Sequence, residues 1–163
     1  MMPAIRLARD QSADTRIVMI GSIGGRIAGP MLGAYHASKF GLVGLTDSLR
    51  AELAPFGVRV ILVEPGSVAT PIWSKGTAAG DDLLTRLPVG ADRYAGQINA
   101  ARANAARMAE RGLAPQRAAR VIVKALTARN PRPRYLIGRD AHLAALVARL
   151  PYRLRYQLTA ARP

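Results

Sequence analysis

The chain has 163 residues, half of them hydrophobic, and carries 24 Lys+Arg against 10 Asp+Glu for a formal net charge of +14. Its length suits one domain with a sizeable core, and the apolar share is that of a globular chain and not a disordered one. It contains no cysteine, which excludes a disulfide framework, a thiolate metal site and a thiol nucleophile.

Met1 to Arg9 reads as the end of an amphipathic helix, and Asp10 to Thr15 as a polar turn. Arg16 to Gly21 (RIVMIG) is short, β-branched and bounded by turn residues, the pattern of a buried parallel strand. Ser22 then stands at that strand's carboxyl end, where open α/β sheets place their ligands. A loop rich in glycine and proline (Gly24, Gly25, Gly29, Pro30, Gly33) leads to Tyr35, which opens a helix to Ala54. Phe40, Val43, Leu45, Leu49 and Leu53 recur in it at roughly helical spacing, and Pro55 and Gly57 end it. Lys39 lies four residues past Tyr35 and so shares its face. A free tyrosine titrates near 10. A neighbouring ammonium favours the phenolate and lowers that value, towards the range where an acid/base works best at neutral pH.

Val58 to Val63 (VRVILV) reads as the next buried strand, followed by the turn Glu64-Pro65-Gly66-Ser67-Val68-Ala69-Thr70. There proline fixes φ and glycine lets backbone approach a ligand. Pro71 to Gly90 reads as a mobile loop with a short helix, whose Ile72, Trp73, Leu83, Leu84 and Leu87 suit either a hydrophobic ligand or the core. An alanine-rich helix is expected over Ala91 to Arg111, ended by Gly112, and another over Gln116 to Ala128 after Pro115. Asn130 to Pro133 makes a turn into a last short strand, Arg134 to Ile137, and Asp140 can cap the helix after it. The tail, Leu143 to Leu158, mixes Leu and Tyr with Arg149, Arg153 and Arg155. Such a segment either makes membrane contact as a basic amphipathic helix or, more commonly, packs on the domain or a partner.

His36 and His142 lie far apart without ligand-like spacing, which leaves no metal site in view. No apolar run reaches about 18 residues and no signal-peptide core opens the chain, so a soluble, cytoplasmic protein is expected. The arginines are scattered among alanines and accompany no helix-turn-helix, zinc-finger or RNP pattern, so no specific nucleic-acid partner is expected. Dinucleotide phosphates are the more economical anionic partner.

Ser22, Tyr35 thirteen positions on, and Lys39 in the run YHASK, joined to the P-G-x-V-x-T turn, closely resemble the short-chain dehydrogenase/reductase family. The resemblance implies a three-layer α/β fold, Rossmann-like, with a doubly wound parallel sheet. It implies Tyr35 as general acid/base, Lys39 as the group that lowers its pKa and binds the nicotinamide ribose, and Ser22 as hydrogen-bond partner of the reacting oxygen. Pro65, Gly66, Val68 and Thr70 would form the nicotinamide-contacting loop, with the Val68 backbone and Thr70 hydroxyl towards carboxamide and phosphate. The implied cofactor is NAD or NADP. The implied substrate is a small alcohol/carbonyl pair, hydrophobic if the apolar residues near Trp73 face it, as with a retinoid, steroid or lipid alcohol. The helix Tyr35 to Ala54 would pair with its copy in a homo-oligomer.

The chain departs from the family pattern upstream. It has no G-x-x-x-G-x-G turn, no ribose selector and no N-N-A-G segment, and Asn99, Asn104 and Asn130 all lie downstream of Ser22. The expectation is an N-terminally truncated domain, residues 1–163 as one unit supplying the catalytic and substrate side. The alternative is an inactive remnant, or one piece of a split enzyme whose partner supplies the first half and covers the open sheet edge. A Ser-Lys hydrolase is disfavoured because Ile20 stands where a G-x-S-x-G elbow needs glycine.

Overall fold

A computed structural model describes residues 14–86 and 91–159. Three strands, β1 (Arg16–Ile20), β2 (Arg59–Pro65) and β3 (Arg134–Ile137), form a parallel sheet in the order β1-β2-β3. Arg16 pairs with Arg59 and Ile20 with Val63 on one side of β2, and Leu62 with Arg134 on the other. The central strand reads as an almost unbroken apolar run because both of its faces are covered: Val60 to Glu64 are all buried.

Successive strand residues point to opposite faces, and each face has its own helix. α1 (Gly33–Leu53) lays Leu49 and Leu53 against Val60, Ile17 and Met19. α4 (Pro115–Thr127) lays Ala118 and Ala125 against Ile61, Val63 and Ile137 on the other side. The result is the expected three-layer, Rossmann-like arrangement. Both crossovers step the same way across the sheet but over opposite faces, so they have opposite hands. One of them therefore departs from the usual right-handed rule.

Several boundaries differ from the sequence reading. α1 starts at Gly33, which puts Tyr35 inside its first turn. The segment expected to be a mobile loop with a short helix is helical over thirteen residues, α2 (Ile72–Leu84), packed against α3 (Ala95–Arg111). Gly76 and Gly80 obscured its length, although Thr77, Ala78 and Ala79 between them suit a helix stabilised by packing. The tail is two helices, α5 (Arg139–Val147) and α6 (Tyr152–Thr159), separated where Pro151 cannot continue the backbone ladder. Ala145 of α5 is buried in the domain, but most of the larger apolar side chains of the tail stand out from it. Leu143, Leu146, Tyr152, Tyr156 and Leu158 are exposed, and Tyr152 and Tyr156 stack on each other at 6.3 Å. Asp140 is not the capping residue, since that position falls to Gly138. Instead the Asp140 carboxylate accepts the Ala141 and Ser67 N–H groups from within the first turn. The helix expected over Met1 to Arg9, and Leu87 to Gly90 of the expected loop, lie outside the described residues.

Candidate active site

The β1–β2 ladder runs one residue past β1, where the Gly21 N–H donates to Val63 O at 2.8 Å. Ser22 follows in extended backbone (φ −165°) and starts a short 3-10 turn over Ile23–Gly25. Its Oγ accepts the Gly24 N–H at 3.0 Å, and no acceptor among the described residues takes its own proton. A serine hydroxyl bound this way is fixed in place with a donor to spare. The turn seats directly on α1: a Cβ on Gly25 would stand 2.6 Å from the Lys39 carbonyl oxygen. Only glycine allows that approach.

Tyr35 lies in the first turn of α1, its ring against Gly24 and 38% of the residue exposed, so a solute can reach it. The Lys39 Nζ sits 5.8 Å from the Tyr35 ring centroid and donates to Ile20 O at 3.4 Å, which anchors the ammonium over the end of β1. The structure thus brings Ser22, Tyr35 and Lys39 together around one strand end. His36 helps to hold them. Its Nδ1 lies 2.9 Å from Gly24 O, and its Nε2 accepts the Gly29 N–H at 3.1 Å. Accepting at Nε2 and donating from Nδ1 requires the neutral ring, which pins both ends of the loop to α1.

The second loop leaves the adjacent strand end. Gly66 donates to Ile137 O at 2.8 Å, and Ser67 N donates to Asp140 Oδ2 at 2.6 Å. A side chain at Gly66 would run into the Asp140 carboxylate. Val68 forms a parallel bridge with Leu113 through Ser67 O and Ala69 N. That pairing leaves the N–H and C=O of Val68 itself on the opposite side of the segment. The carbonyl takes the Trp73 indole N–H at 2.7 Å. Pro65 and Thr70, half-buried, bound this loop.

Sequence reasoning missed two features. One is His36, whose only signal is its place beside Tyr35. The other is an ion pair between Arg26, in the loop after Ser22, and Glu64, the residue before Pro65. Arg26 Nε donates to Oε1 at 2.7 Å and NH2 to Oε2 at 2.5 Å, with Glu64 fully buried. The hydrogen bond to Glu64 raises the Arg26 guanidinium above its ordinary value, against the effect of burial. An acidic residue closing an apolar strand was the available signal. Beyond the loop, Ile27, Pro30 and Phe40 face Tyr152 and Tyr156 of α6 across a cleft of about 430 Å³.

A parallel sheet with polar side chains gathered over adjacent carboxyl ends is the nucleotide-binding type of α/β fold. Residues 2–80 match the family model described as short chain dehydrogenase. Over 144 residues the chain is 38% identical to retinol dehydrogenase 5 of Mus musculus, covering 85% of this chain and 45% of that protein. It is 33% identical over 124 residues to the NADPH-dependent 3-dehydrocapnine reductase of Ornithobacterium rhinotracheale, covering 76% of this chain and 41% of that one. A short chain dehydrogenase from Burkholderia cenocepacia J2315, crystallised in complex with NADP, superposes with a TM-score of 0.65 at 22% identity. That likeness in fold covers 99% of this chain and 52% of the other. The chain belongs to the short-chain dehydrogenase family, and it spans about half the length of the relatives it matches.

Proposed function

We propose that this chain carries the catalytic end of an NAD(P)-dependent oxidoreductase acting on an alcohol/carbonyl pair. The observation that carries this reading is the gathering of Ser22, Tyr35 and Lys39 at the end of β1, beside the Pro65–Thr70 loop at the end of β2. Tyr35 exchanges the proton with the substrate oxygen. Ser22, its acceptor side already occupied by Gly24, donates to that oxygen and orients it. Lys39 places a cation beside the phenol and within reach of a ribose hydroxyl.

The residues present fit the nicotinamide end of such a cofactor. The Val68 N–H, turned away from its bridge to Leu113, offers a donor to a carboxamide, and the half-buried Thr70 offers a hydroxyl. The nicotinamide, when bound, supplies or accepts the hydride. Retinol dehydrogenase 5 among the relatives favours a hydrophobic substrate of retinoid, steroid or lipid kind. Phe40 and Leu45, exposed on α1, favour pairing of that helix in a homo-oligomer.

The test is a titration with NADH and NADPH followed by the emission of Trp73, the sole tryptophan and hydrogen-bonded to Val68 O. Saturable quenching that weakens in Lys39→Ala supports the reading. A folded chain that shows no quenching refutes it for the chain alone. The second reading, a remnant or a subunit completed by another chain, is favoured by the outer edge of β1, which pairs with no strand among the described residues. It predicts that quenching appears only after a chain bearing the first half of the domain is added.

A further inference from the structure

Among the described residues Glu64 is the only charged side chain that is fully buried. Burying a carboxylate is costly, and an ion pair in its place is often no more stabilising than apolar residues of similar volume. Stability therefore does not account for the pair, but its location does. The hydrogen-bonded sheet ends at Gly21 and Val63. Beyond that point, no backbone hydrogen bond among the described residues joins the Ser22 loop to the Pro65–Thr70 loop. The two-pronged contact of Arg26 with Glu64 crosses that gap. A planar guanidinium bound at both oxygens fixes angle as well as distance, which an ammonium cannot do.

The two sides of the gap are not equally held. The β2 loop is fixed from behind, by Ile137 O on Gly66, by Asp140 on Ser67 and by Leu113 on Ser67 and Ala69. Glu64 itself has a second cation, Arg134 NH1, at 3.7 Å. Arg134 in turn reaches Asp47 on α1 at 2.6 Å. The Ser22 loop is held by its own turn, its seat on Lys39 of α1 and the His36 contacts, and its side-chain tie to the β2 side is Arg26.

We propose that Arg26 is a positioning residue, which uses buried Glu64 to transfer the fixed position of the nicotinamide-side loop to the loop that carries Ser22. The inference rests on the function proposed above. It makes the pair a spacer between the group that orients the substrate oxygen and the segment that faces the nicotinamide.

The experiment compares the chain with Arg26→Lys, which keeps the charge without the fork, and with the double variant Arg26→Met/Glu64→Leu, which leaves no unpaired buried charge. Amide exchange is followed by mass spectrometry, NADPH binding by Trp73 emission, and global stability by urea unfolding. The expected result is a double variant with an unchanged urea midpoint but exchange over residues 22–27 faster by roughly tenfold. Exchange over residues 66–70 stays as in the parent, and NADPH binds about tenfold more weakly. Arg26→Lys falls between. Unchanged exchange over residues 22–27 in a stable double variant overturns the proposal, as does acceleration in both loops together, which marks a merely structural pair. If the parent chain binds no NADPH, the proposed function fails instead, and exchange alone then decides whether the loops are coupled.

Discussion

Gly66 illustrates how a single missing side chain can hold a site together. The Asp140 carboxylate occupies the space where its Cβ would stand and accepts the next N–H, from Ser67. Gly66→Ala should therefore destabilise the fold by about 1–3 kcal/mol, as overpacking does. Adding Asp140→Ala should recover part of that loss, so that the double variant is less damaged than the sum of the singles, measured by urea midpoints. Asp47 gives a pH prediction. Partial burial works to raise its carboxyl, but the hydrogen bond from Arg50 and the charges of Arg134 and Arg50 outweigh this and hold it below its ordinary value. A carboxyl lowered by folding contributes stability that is present above the usual carboxylate range and lost as pH falls through the folded value. Asp47→Asn should lower the urea midpoint at pH 7 and flatten the loss of stability below about pH 4.

At the scale of elements, β2 and the end of α1 carry the core. Leu53 is fully buried against Val58 and Val60, so Leu53→Ala should cost about 2–5 kcal/mol, read as a fall in the urea midpoint. These elements were legible in the sequence because their signals are local. VRVILV can hardly be anything but a covered strand, and the Leu49 and Leu53 spacing marks the buried stripe of a helix. Ser22, Tyr35 and Lys39 were legible for the same reason, since one strand end, one turn and one helix start bring them together. The Arg26–Glu64 pair was not, because its partners come from two strand ends and no pattern says which of many arginines meets Glu64. His36 was hidden likewise, since its contacts depend on how the glycine loop folds back. In α2 the two glycines masked the length of a helix that tertiary packing supports.

For the whole molecule, the net charge of +14 sets how it meets anions. NADPH carries one phosphate more than NADH. Raising salt from about 50 to 500 mM should therefore weaken NADPH binding more than NADH binding, as paired titrations can measure. No helix among the described residues is long and apolar enough to cross a membrane.

The opposed hands of the two crossovers bear on how the chain finds its structure. β1, α1 and β2 are neighbours in sequence, and their contacts close short loops. β3 reaches its place only after the long connection from β2, whose α4 lies on the other face of the sheet, which makes its pairing with β2 long-range and late. Leu53→Ala should therefore slow refolding, whereas Ile137→Ala should act mainly by speeding unfolding, as stopped-flow rates would reveal. On that order of events, β1, α1 and β2 set Ser22, Tyr35 and Lys39 around one strand end early. The clamp on Gly66 and Ser67 from Ile137 and Asp140 closes last.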